Sequence, residues 1–575
     1  MNEHEQAVLA DASLDEPWAL VESFATFKRE HPADVDRGMD EVVERLRNHG
    51  VEVSVHQPTL FLSLPGAARV EADGVTFRAK PPAYSLDARG GLTGKLVYIG
   101  ANQADDIDTI FDKKLDPSRD VRSQVEGNIV ISEGFASPGM IAQFEELGAI
   151  GVIGINPGVD IHWGICTTVW GTPDLDDLPR KPKVVSVAVN QPDGQKLIEI
   201  AGRGGSVTLF TEMEEGWFSS KLPEVFIRGT DEPEKYVLLH GHLDSWDVGV
   251  GDNATGDATM LEVARLLWKH RDKLKRSVRI AWWPGHSTGR YAGSTWFADQ
   301  FAIDLEENCV AQVNCDSPGC RWATEFLNLS LMSETDAFVS DVIKEVADKQ
   351  AFGERPHRAG DYSFNNIGIS SYFMLSSTMP TALREEKGYY AVGGCGANIA
   401  WHTENDTLEI ADRDMLLRDI KIYALAVMRN ANADLLPFDW RATTDEFLST
   451  IERYQQDAGD RFDLSAAKEA TRKLKTALEG FYQQAESRKI ERKTANQTIQ
   501  DLARILVPIN FTREARFRHD PALTVPPLPT IATASELAGH GEDTIGFAKT
   551  QLVRGQNRLV SALNQARRQV EAVTR

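Results

Sequence analysis

The chain has 575 residues, a formal net charge of −23, 42% hydrophobic residues and 26% charged residues. This length exceeds what one hydrophobic core usually supports, so we expect several domains. No apolar run approaches the roughly 18 residues that cross a membrane, and the acidic balance would repel nucleic-acid phosphates. We therefore expect neither membrane nor nucleic-acid partners.

The start of the chain and its cysteines indicate a compartment. Residues 1–5 are acidic, without the basic segment and following apolar stretch of a secretory signal. The five cysteines are odd in number and scattered, unlike the paired frameworks of secreted domains. We expect a cytoplasmic protein.

The first 215 residues fall into two segments of different pattern. Apolar residues at helical spacing predict a helix over 32–49, followed by strands at 51–55 and 60–64. Segments separated by Gly and Pro then predict one helix at 140–147 and strands at 95–99, 128–131, 151–155, 184–189 and 207–210. We expect residues 80–215 to form a small separate domain.

Residues 236–430 alternate apolar strands with amphipathic helices, which is typical of a mostly parallel α/β sheet. Strands are predicted at 237–239, 278–283 and 310–314, each followed by polar candidate residues. Ligands of open α/β sheets bind beyond the carboxyl ends of the strands, so these residues should share one site. After about residue 443 the pattern is helical.

The polar residues at these strand ends have the chemistry of a metal centre. His242, Asp252, Asp316 and His402 offer the nitrogen and oxygen ligands that zinc accepts. Two divalent cations bridged by one carboxylate can activate a water and polarise a carbonyl, and Asp252, on a Gly-rich turn, suits the bridge. We expect the carboxylate of Asp244 to accept the second imidazole N–H of His242 and fix its tautomer.

These motifs resemble those of a known family. The motifs are His242-x-Asp244-Ser245-Trp246, Asp252-Asn253, Asn314-x-Asp316 and His402-Thr403. Together they resemble the metal-binding signatures of the co-catalytic zinc exopeptidases, in the branch that contains glutamate carboxypeptidase II and the transferrin receptor ectodomain.

The resemblance covers nearly the whole chain and implies a phosphorylase/hydrolase-like zinc-peptidase core. It implies that residues 1–79 and 216–438 form the catalytic α/β domain around a protease-associated insert at 80–215. Residues 439–575 resemble the helical dimerisation domain of that branch, which implies a homodimer.

The resemblance also assigns roles to the site residues. It implies a first metal held by His242, Asp252 and Asp316, and a second held by Asp252 and partly by His402. Where the family has a Glu-Glu pair, general base and then metal ligand, this sequence has His286 and Ser287. Without those two negative charges we expect weaker binding of the second metal, so that the chain holds one or two zinc or other divalent ions.

Three functions compete. The favoured one is a metal-dependent hydrolase of C–N bonds in a small amide or peptide substrate. In that hydrolase His286 is a general base or a replacement metal ligand, and Ser287 ligates weakly or orients a water. The second is a catalytically silent binding or assembly protein on the same scaffold.

The third function is a serine hydrolase. Residues 285–289 match the G-x-S-x-G pattern, with Ser287 as nucleophile and Asp361 and His402 as candidate partners. We favour the metal-dependent enzyme because a serine hydrolase leaves His242 and Asp252 without a role.

Overall fold

The computed structural model describes residues 1–101, 110, 121–373 and 376–575. Within these residues, fifteen strands form three sheets. The strands are β1 (Ser54–His56), β2 (Thr59–Ala72), β3 (Val75–Ala79), β4 (Leu92–Tyr98), β5 (Ile129–Glu133), β6 (Gly151–Ile155), β7 (Val185–Val189), β8 (Ser206–Ser219), β9 (Leu222–Ile227), β10 (Glu232–His242), β11 (Arg276–Trp283), β12 (Cys309–Asn314), β13 (Phe326–Ser330), β14 (Ala351–Glu354) and β15 (Ser371–Tyr372).

Sixteen α-helices lie in the same described residues. They are α1 (Glu3–Ala10), α2 (Asp15–Phe24), α3 (Pro32–Asn48), α4 (Arg122–Val125), α5 (Pro138–Glu146), α6 (Gln191–Gly202), α7 (Thr255–Lys269), α8 (Ala292–Gln300), α9 (Ala302–Asn308), α10 (Asp336–Ala347), α11 (Thr381–Glu386), α12 (Arg413–Asn432), α13 (Trp440–Ala458), α14 (Ser465–Glu486), α15 (Arg492–Phe511) and α16 (Ile545–Thr574). The predicted α/β class, with a β-rich insert and C-terminal helices, is confirmed.

The central six-stranded sheet has the order β1-β9-β11-β10-β12-β15. Strands β11, β10, β12 and β15 are parallel, whereas β9 and β1 pair antiparallel at one edge. All residues of β11 and β12 are buried, as expected of parallel strands that are covered on both faces. The carboxyl ends of β11, β10 and β12 therefore lie side by side.

A seven-stranded sheet, in the order β3-β2-β8-β4-β5-β6-β7, lies between β1 and β9 in the sequence. Its long strands β2 and β8 pair from Thr59 opposite Ser219 to Glu71 opposite Thr208. The chain thus enters and leaves this unit through adjacent strands. Because β2 and β3 belong to this sheet, the β-rich unit begins before the predicted boundary at residue 80. Its identity as a protease-associated domain stays a prediction.

The C-terminal helices share a hydrophobic core with the central sheet. Buried Trp440 donates from Nε1 to the carbonyl oxygen of Ile499 at 3.0 Å, which joins α13 to α15. The guanidinium of Arg504 donates to the carbonyl oxygens of Gly368 and Cys309. These bonds tie α15 to the α/β core. A homodimer through these helices stays a prediction. Among the described residues, none of the helices has the length and apolar character of a membrane span.

A buried carboxyl lies where the core meets α13. Glu334 accepts hydrogen bonds from Oγ of Ser370 at 2.7 Å and from Oγ1 of Thr443 at 3.1 Å. Burial penalises the charged form and raises the pKa of Glu334 to about 7. Between about pH 4.5 and pH 7, Glu334 is therefore protonated in the folded chain and ionised in the unfolded chain.

We expect this carboxyl to make stability fall as pH rises. A pKa raised from 4.5 to about 7 corresponds to about 3 kcal/mol, present below pH 4.5 and lost as pH rises through 7. Glu334→Gln removes the charge and offers one accepting oxygen and one donating NH₂ group to the two hydroxyls, so it should raise the free energy of unfolding in urea at pH 8 by up to about 3 kcal/mol and far less at pH 5. Exposed Glu469→Gln is the control. Equal effects of Glu334→Gln at both pH values would contradict this expectation.

Candidate metal centre

Five predicted site residues come together at the carboxyl edge of the central sheet. They are His242, Asp252, His286, Asp316 and His402, and each is between 1% and 9% exposed. His242 ends β10, His286 follows the end of β11, and Asp316 follows the end of β12. With so little water present, charges in this cluster must be balanced by one another or by a bound ion.

His242 faces two carboxylates. Its Nε2 lies 3.0 Å from Oδ1 of Asp252 and 3.5 Å from Oδ2 of Asp316. Its Nδ1 lies 2.8 Å from the carbonyl oxygen of Asp244. A carbonyl oxygen can only accept, so the proton of the neutral ring is on Nδ1 and the Nε2 lone pair faces the carboxylates. Burial alone would lower the pKa of His242, but Asp252 and Asp316 outweigh it and raise that pKa well above its ordinary value.

His402 repeats this arrangement on the other side of Asp252. Its Nε2 lies 3.2 Å from Oδ2 of Asp252, and its Nδ1 lies 2.9 Å from the carbonyl oxygen of Trp163. Asp252 therefore presents one oxygen to each imidazole. Burial opposes ionisation of Asp252, but His242 and His402 hold its pKa well below the usual range.

These two contacts fit a bound cation. Neither Nε2 of His242 nor Oδ1 of Asp252 has a hydrogen-bond partner within the described part of the chain. An imidazole lone pair that faces a carboxylate oxygen is repelled unless a proton or metal ion lies between them. His242, Asp252 and Asp316 thus frame one cation position, and Asp252 and His402 frame a second.

Two buried side chains hold the loops that carry these ligands. The carboxylate of Asp406 accepts the backbone N–H of Gly251 at 2.7 Å and of Asp252 at 3.0 Å. Asn253 donates from Nδ2 to the carbonyl oxygens of His242 and Cys315, both at 3.0 Å. The loops after β10 and β12 are therefore fixed to the turn of Asp252. No role was predicted for Asn253, which belongs to the quoted Asp252-Asn253 motif, or for Asp406, which lies four positions after His402.

An arginine from the N-terminal part of the chain supports the same turn. The guanidinium of Arg29 is fully buried and donates to the carbonyl oxygens of Leu243, Val248 and Gly249 at 2.9 to 3.1 Å. Burial lowers its pKa to about 10. Arg29 was missed because no local pattern near residue 29 indicates partners more than two hundred residues away.

His286 packs directly on His242. Their ring centroids are 3.7 Å apart and their planes are inclined by 20°. His286, His242 and Asp316 each place one ligand atom within 4.8 Å of the other two. Nδ1 of His286 lies 2.9 Å from Oδ2 of Asp361, which leaves Nε2 as the nitrogen available to the centre.

The role predicted for the Asp244 carboxylate is wrong. The carbonyl oxygen of Asp244, not its carboxylate, is the partner of His242. The carboxylate accepts the backbone N–H groups of His286 at 2.9 Å and Ser287 at 3.1 Å. Asp244 therefore positions the turn that carries His286.

The serine-hydrolase alternative is contradicted. Both ring nitrogens of His402 are engaged, one by Asp252 and one by the carbonyl oxygen of Trp163. Asp361 pairs with His286 and not with His402. In the described structure, Asp361 and His402 therefore do not form the predicted triad with Ser287.

This fold and site define an α/β protein with a candidate metal centre. Residues 225–428 match the sequence profile of peptidase family M28, in agreement with the resemblance.

Curated relatives agree with the match to peptidase family M28. The probable glutamate carboxypeptidase VP8 of Zea mays is 24% identical over 484 residues, covering 72% of this chain and 66% of its own. Aminopeptidase NAALADL1 of Mus musculus is 35% identical over 121 residues, covering 20% of this chain and 15% of its own. The chain thus spans just under two thirds of the maize relative and a small part of the mouse protein.

Solved structures agree on the fold. An aminopeptidase from Aneurinibacillus sp. strain AM-1 aligns with a TM-score of 0.53 at 17% identity, covering 74% of this chain and 96% of its own. A zinc aminopeptidase from Bacillus subtilis aligns with a TM-score of 0.54 at 15% identity, covering 73% and 96%.

We expect Asp252→Asn to abolish tight cation binding. The neutral amide lacks the negative charge that would balance cations bound between residue 252 and the two imidazoles. Zinc titrated into the metal-free variant by calorimetry should bind more than about 100-fold more weakly than to the wild type. Exposed Asp272→Asn is the control and should bind as the wild type does. Retention of wild-type affinity by Asp252→Asn would place the ion elsewhere.

We expect the second cation to bind more weakly than the first, because Ser287 replaces a family carboxylate. Ser287→Glu should add a ligand and tighten the second binding event by about tenfold or more, while the first event changes little. The same calorimetric titration resolves both events. Two equally tight zinc ions in the wild type would contradict this expectation.

Proposed function

We propose that this protein is a metal-dependent hydrolase of C–N bonds in peptides or other small amides. The observation that carries the proposal is that the two oxygens of Asp252 face the Nε2 atoms of His242 and His402, at 3.0 and 3.2 Å. The peptidase family M28 domain, and relatives named as carboxypeptidases and aminopeptidases, support amide bonds as the target.

The first cation would be held by His242, Asp252 and Asp316, and the second by Asp252 and His402. This mixture of imidazole and carboxylate ligands suits zinc, and the fold neighbour described as a zinc aminopeptidase supports that choice. A divalent cation bound there would polarise the substrate carbonyl and lower the pKa of the attacking water.

The stacking of the two imidazoles favours His286 as the proton acceptor over His286 as a ligand. A metal ion lies near the plane of the ring that binds it, and the His242 and His286 rings are nearly parallel, with centroids 3.7 Å apart. A cation held by His242 would therefore be poorly placed for a bond from His286, which would leave Nε2 of His286 free to act on a water.

In the proposed reaction, Nε2 of His286 accepts a proton from the attacking water while the water oxygen bonds to the carbonyl carbon. The imidazolium is stabilised by the carboxylate of Asp361, 2.9 Å from Nδ1. It then returns the proton to the leaving nitrogen as the C–N bond breaks. The products are a carboxylic acid and an amine, and His286 regains its starting state.

We expect zinc-loaded protein to hydrolyse members of a panel of dipeptides and N-acyl amino acids, and a chelator to abolish the activity. His286→Ala should lower kcat by about 10²- to 10⁴-fold, because it removes the proton acceptor and no ligand. Zinc affinity should stay within about threefold of the wild type, and His540→Ala, in a C-terminal loop, is the control.

Two outcomes would contradict the proposal. Unaltered turnover of His286→Ala would remove this residue from the reaction. No turnover of any panel member by the zinc-loaded wild type would favour a binding role for the scaffold.

A further inference from the structure

We infer that Asp361, held by Ser294, is the positioning residue that makes Nε2 of His286 the proton acceptor. The inference deepens the proposed function and rests on it for the identity of the reaction. It assigns to Asp361 a role that differs from the one expected from the sequence, where this residue was a candidate partner of His402.

The contacts of Asp361 account for both of its oxygens. Oδ2 lies 2.9 Å from Nδ1 of His286, and Oδ1 accepts from Oγ of Ser294 at 2.7 Å. Asp361 and Ser294 are fully buried, so no bulk water competes for these bonds. An ionised carboxylate only accepts, so it holds the His286 proton on Nδ1 and leaves the Nε2 lone pair toward the centre.

A chain of buried donors fixes the direction of these bonds. The indole N–H of Trp170 donates to Oγ of Ser363 at 2.9 Å, and Oγ of Ser363 lies 2.9 Å from Oγ of Ser294. An indole N–H can only donate, so the Ser363 hydroxyl can pass its own proton to Ser294. Ser294 lies 3.2 Å from the carbonyl oxygen of Tyr291 and 2.7 Å from Oδ1 of Asp361, so the shorter and charge-assisted bond of its hydroxyl is the one to the carboxylate.

The partner of His286 differs in charge from the partners of the other two imidazoles. Nδ1 of His242 and Nδ1 of His402 face main-chain carbonyl oxygens, which are neutral. Nδ1 of His286 faces a carboxylate, which stabilises an imidazolium far better than a carbonyl does. The two neutral partners suit metal ligands that stay deprotonated, whereas the charged partner suits a group that gains a proton during the reaction.

The charge of Asp361 is itself maintained by this arrangement. The buried carboxylate of Asp361 is compensated by its hydrogen bonds with Nδ1 of His286 at 2.9 Å and Oγ of Ser294 at 2.7 Å. A buried carboxylate without a partner costs several kcal/mol, so Asp361 and His286 depend on each other. If Asp361 and His286 only stabilised each other inside the fold, the role of Asp361 would be structural. The experiment must separate this structural role from the positioning of the His286 proton.

The decisive variant is Asp361→Asn, which keeps the shape and removes the charge. Ser294 donates to one side chain oxygen, so the amide oxygen should face Ser294 and the amide NH₂ should face Nδ1 of His286. That contact moves the imidazole proton to Nε2. Imidazole ¹⁵N NMR of histidine-labelled, metal-free protein reads this directly, and the His286 signal is identified by its loss in His286→Ala.

We expect the wild type to hold the Nδ1–H tautomer of His286 and Asp361→Asn to hold the Nε2–H tautomer. In the zinc-loaded enzyme, Asp361→Asn should lower kcat by about 10²- to 10⁴-fold with KM and zinc affinity within about threefold. Ser294→Ala, which leaves the carboxylate in place, should lower kcat by roughly tenfold. Glu334→Gln, a buried carboxyl outside the centre, is the matched control and should change neither the tautomer nor kcat.

Two outcomes would overturn the inference, and a third would overturn only the proposed reaction. Unchanged tautomer and kcat in Asp361→Asn would make the pair structural. A loss of zinc affinity as large as that of Asp252→Asn would make His286 a ligand. Failure of the zinc-loaded wild type to hydrolyse any amide would overturn the proposed reaction, whereas the tautomer comparison in the metal-free protein still tests the positioning by itself.

Discussion

The carboxylate of Asp252 presents one oxygen to Nε2 of His242 and the other to Nε2 of His402, and the rest of the site depends on this arrangement. It persists in the fold because the surrounding loops are held from outside the centre. Asp406 binds the turn that carries Asp252, Asn253 joins that turn to β10 and β12, and Arg29 binds the carbonyl oxygens of the adjacent loop. The proposed cation positions are thus built on loops that the rest of the fold holds in place.

The β-rich unit contributes directly to the candidate metal centre through Trp163. The backbone N–H and carbonyl oxygen of Trp163 bond to the carbonyl oxygen and Nδ1 of His402, at 2.8 and 2.9 Å. The Trp163 ring stacks on Trp246 at 5.2 Å, and its Nε1 donates to Asp247 at 2.9 Å. One loop of the unit therefore sets the orientation of a candidate ligand and packs on the loop that follows His242.

Much of the fold, and which residues meet at the candidate site, could be predicted from the sequence, because both leave local signals. Apolar runs before His242 and Asp316 mark parallel strands, and the shared edge follows from the rule for such sheets. The atom by which Asp244 acts could not be predicted, since its carbonyl and carboxylate oxygens lie in the same stretch of chain. Arg29 and Asp406 act over 214 and 155 residues, and nothing in their local sequence indicates those partners. Asp361 was assigned to His402 from the order of residues in a motif, whereas proximity in the fold pairs it with His286.

The hydrogen bonds to the three imidazoles differ in how they respond to mutation. His242 and His402 are oriented by main-chain oxygens, which every amino acid supplies, so substitutions at residues 244 and 163 leave those acceptors in place. The orientation of His286 depends on one side chain and the serine behind it. In the proposed enzyme, the geometry of the metal ligands would thus tolerate sequence drift, whereas proton transfer could change through substitution of one side chain. Such a substitution would leave the proposed metal ligands in place.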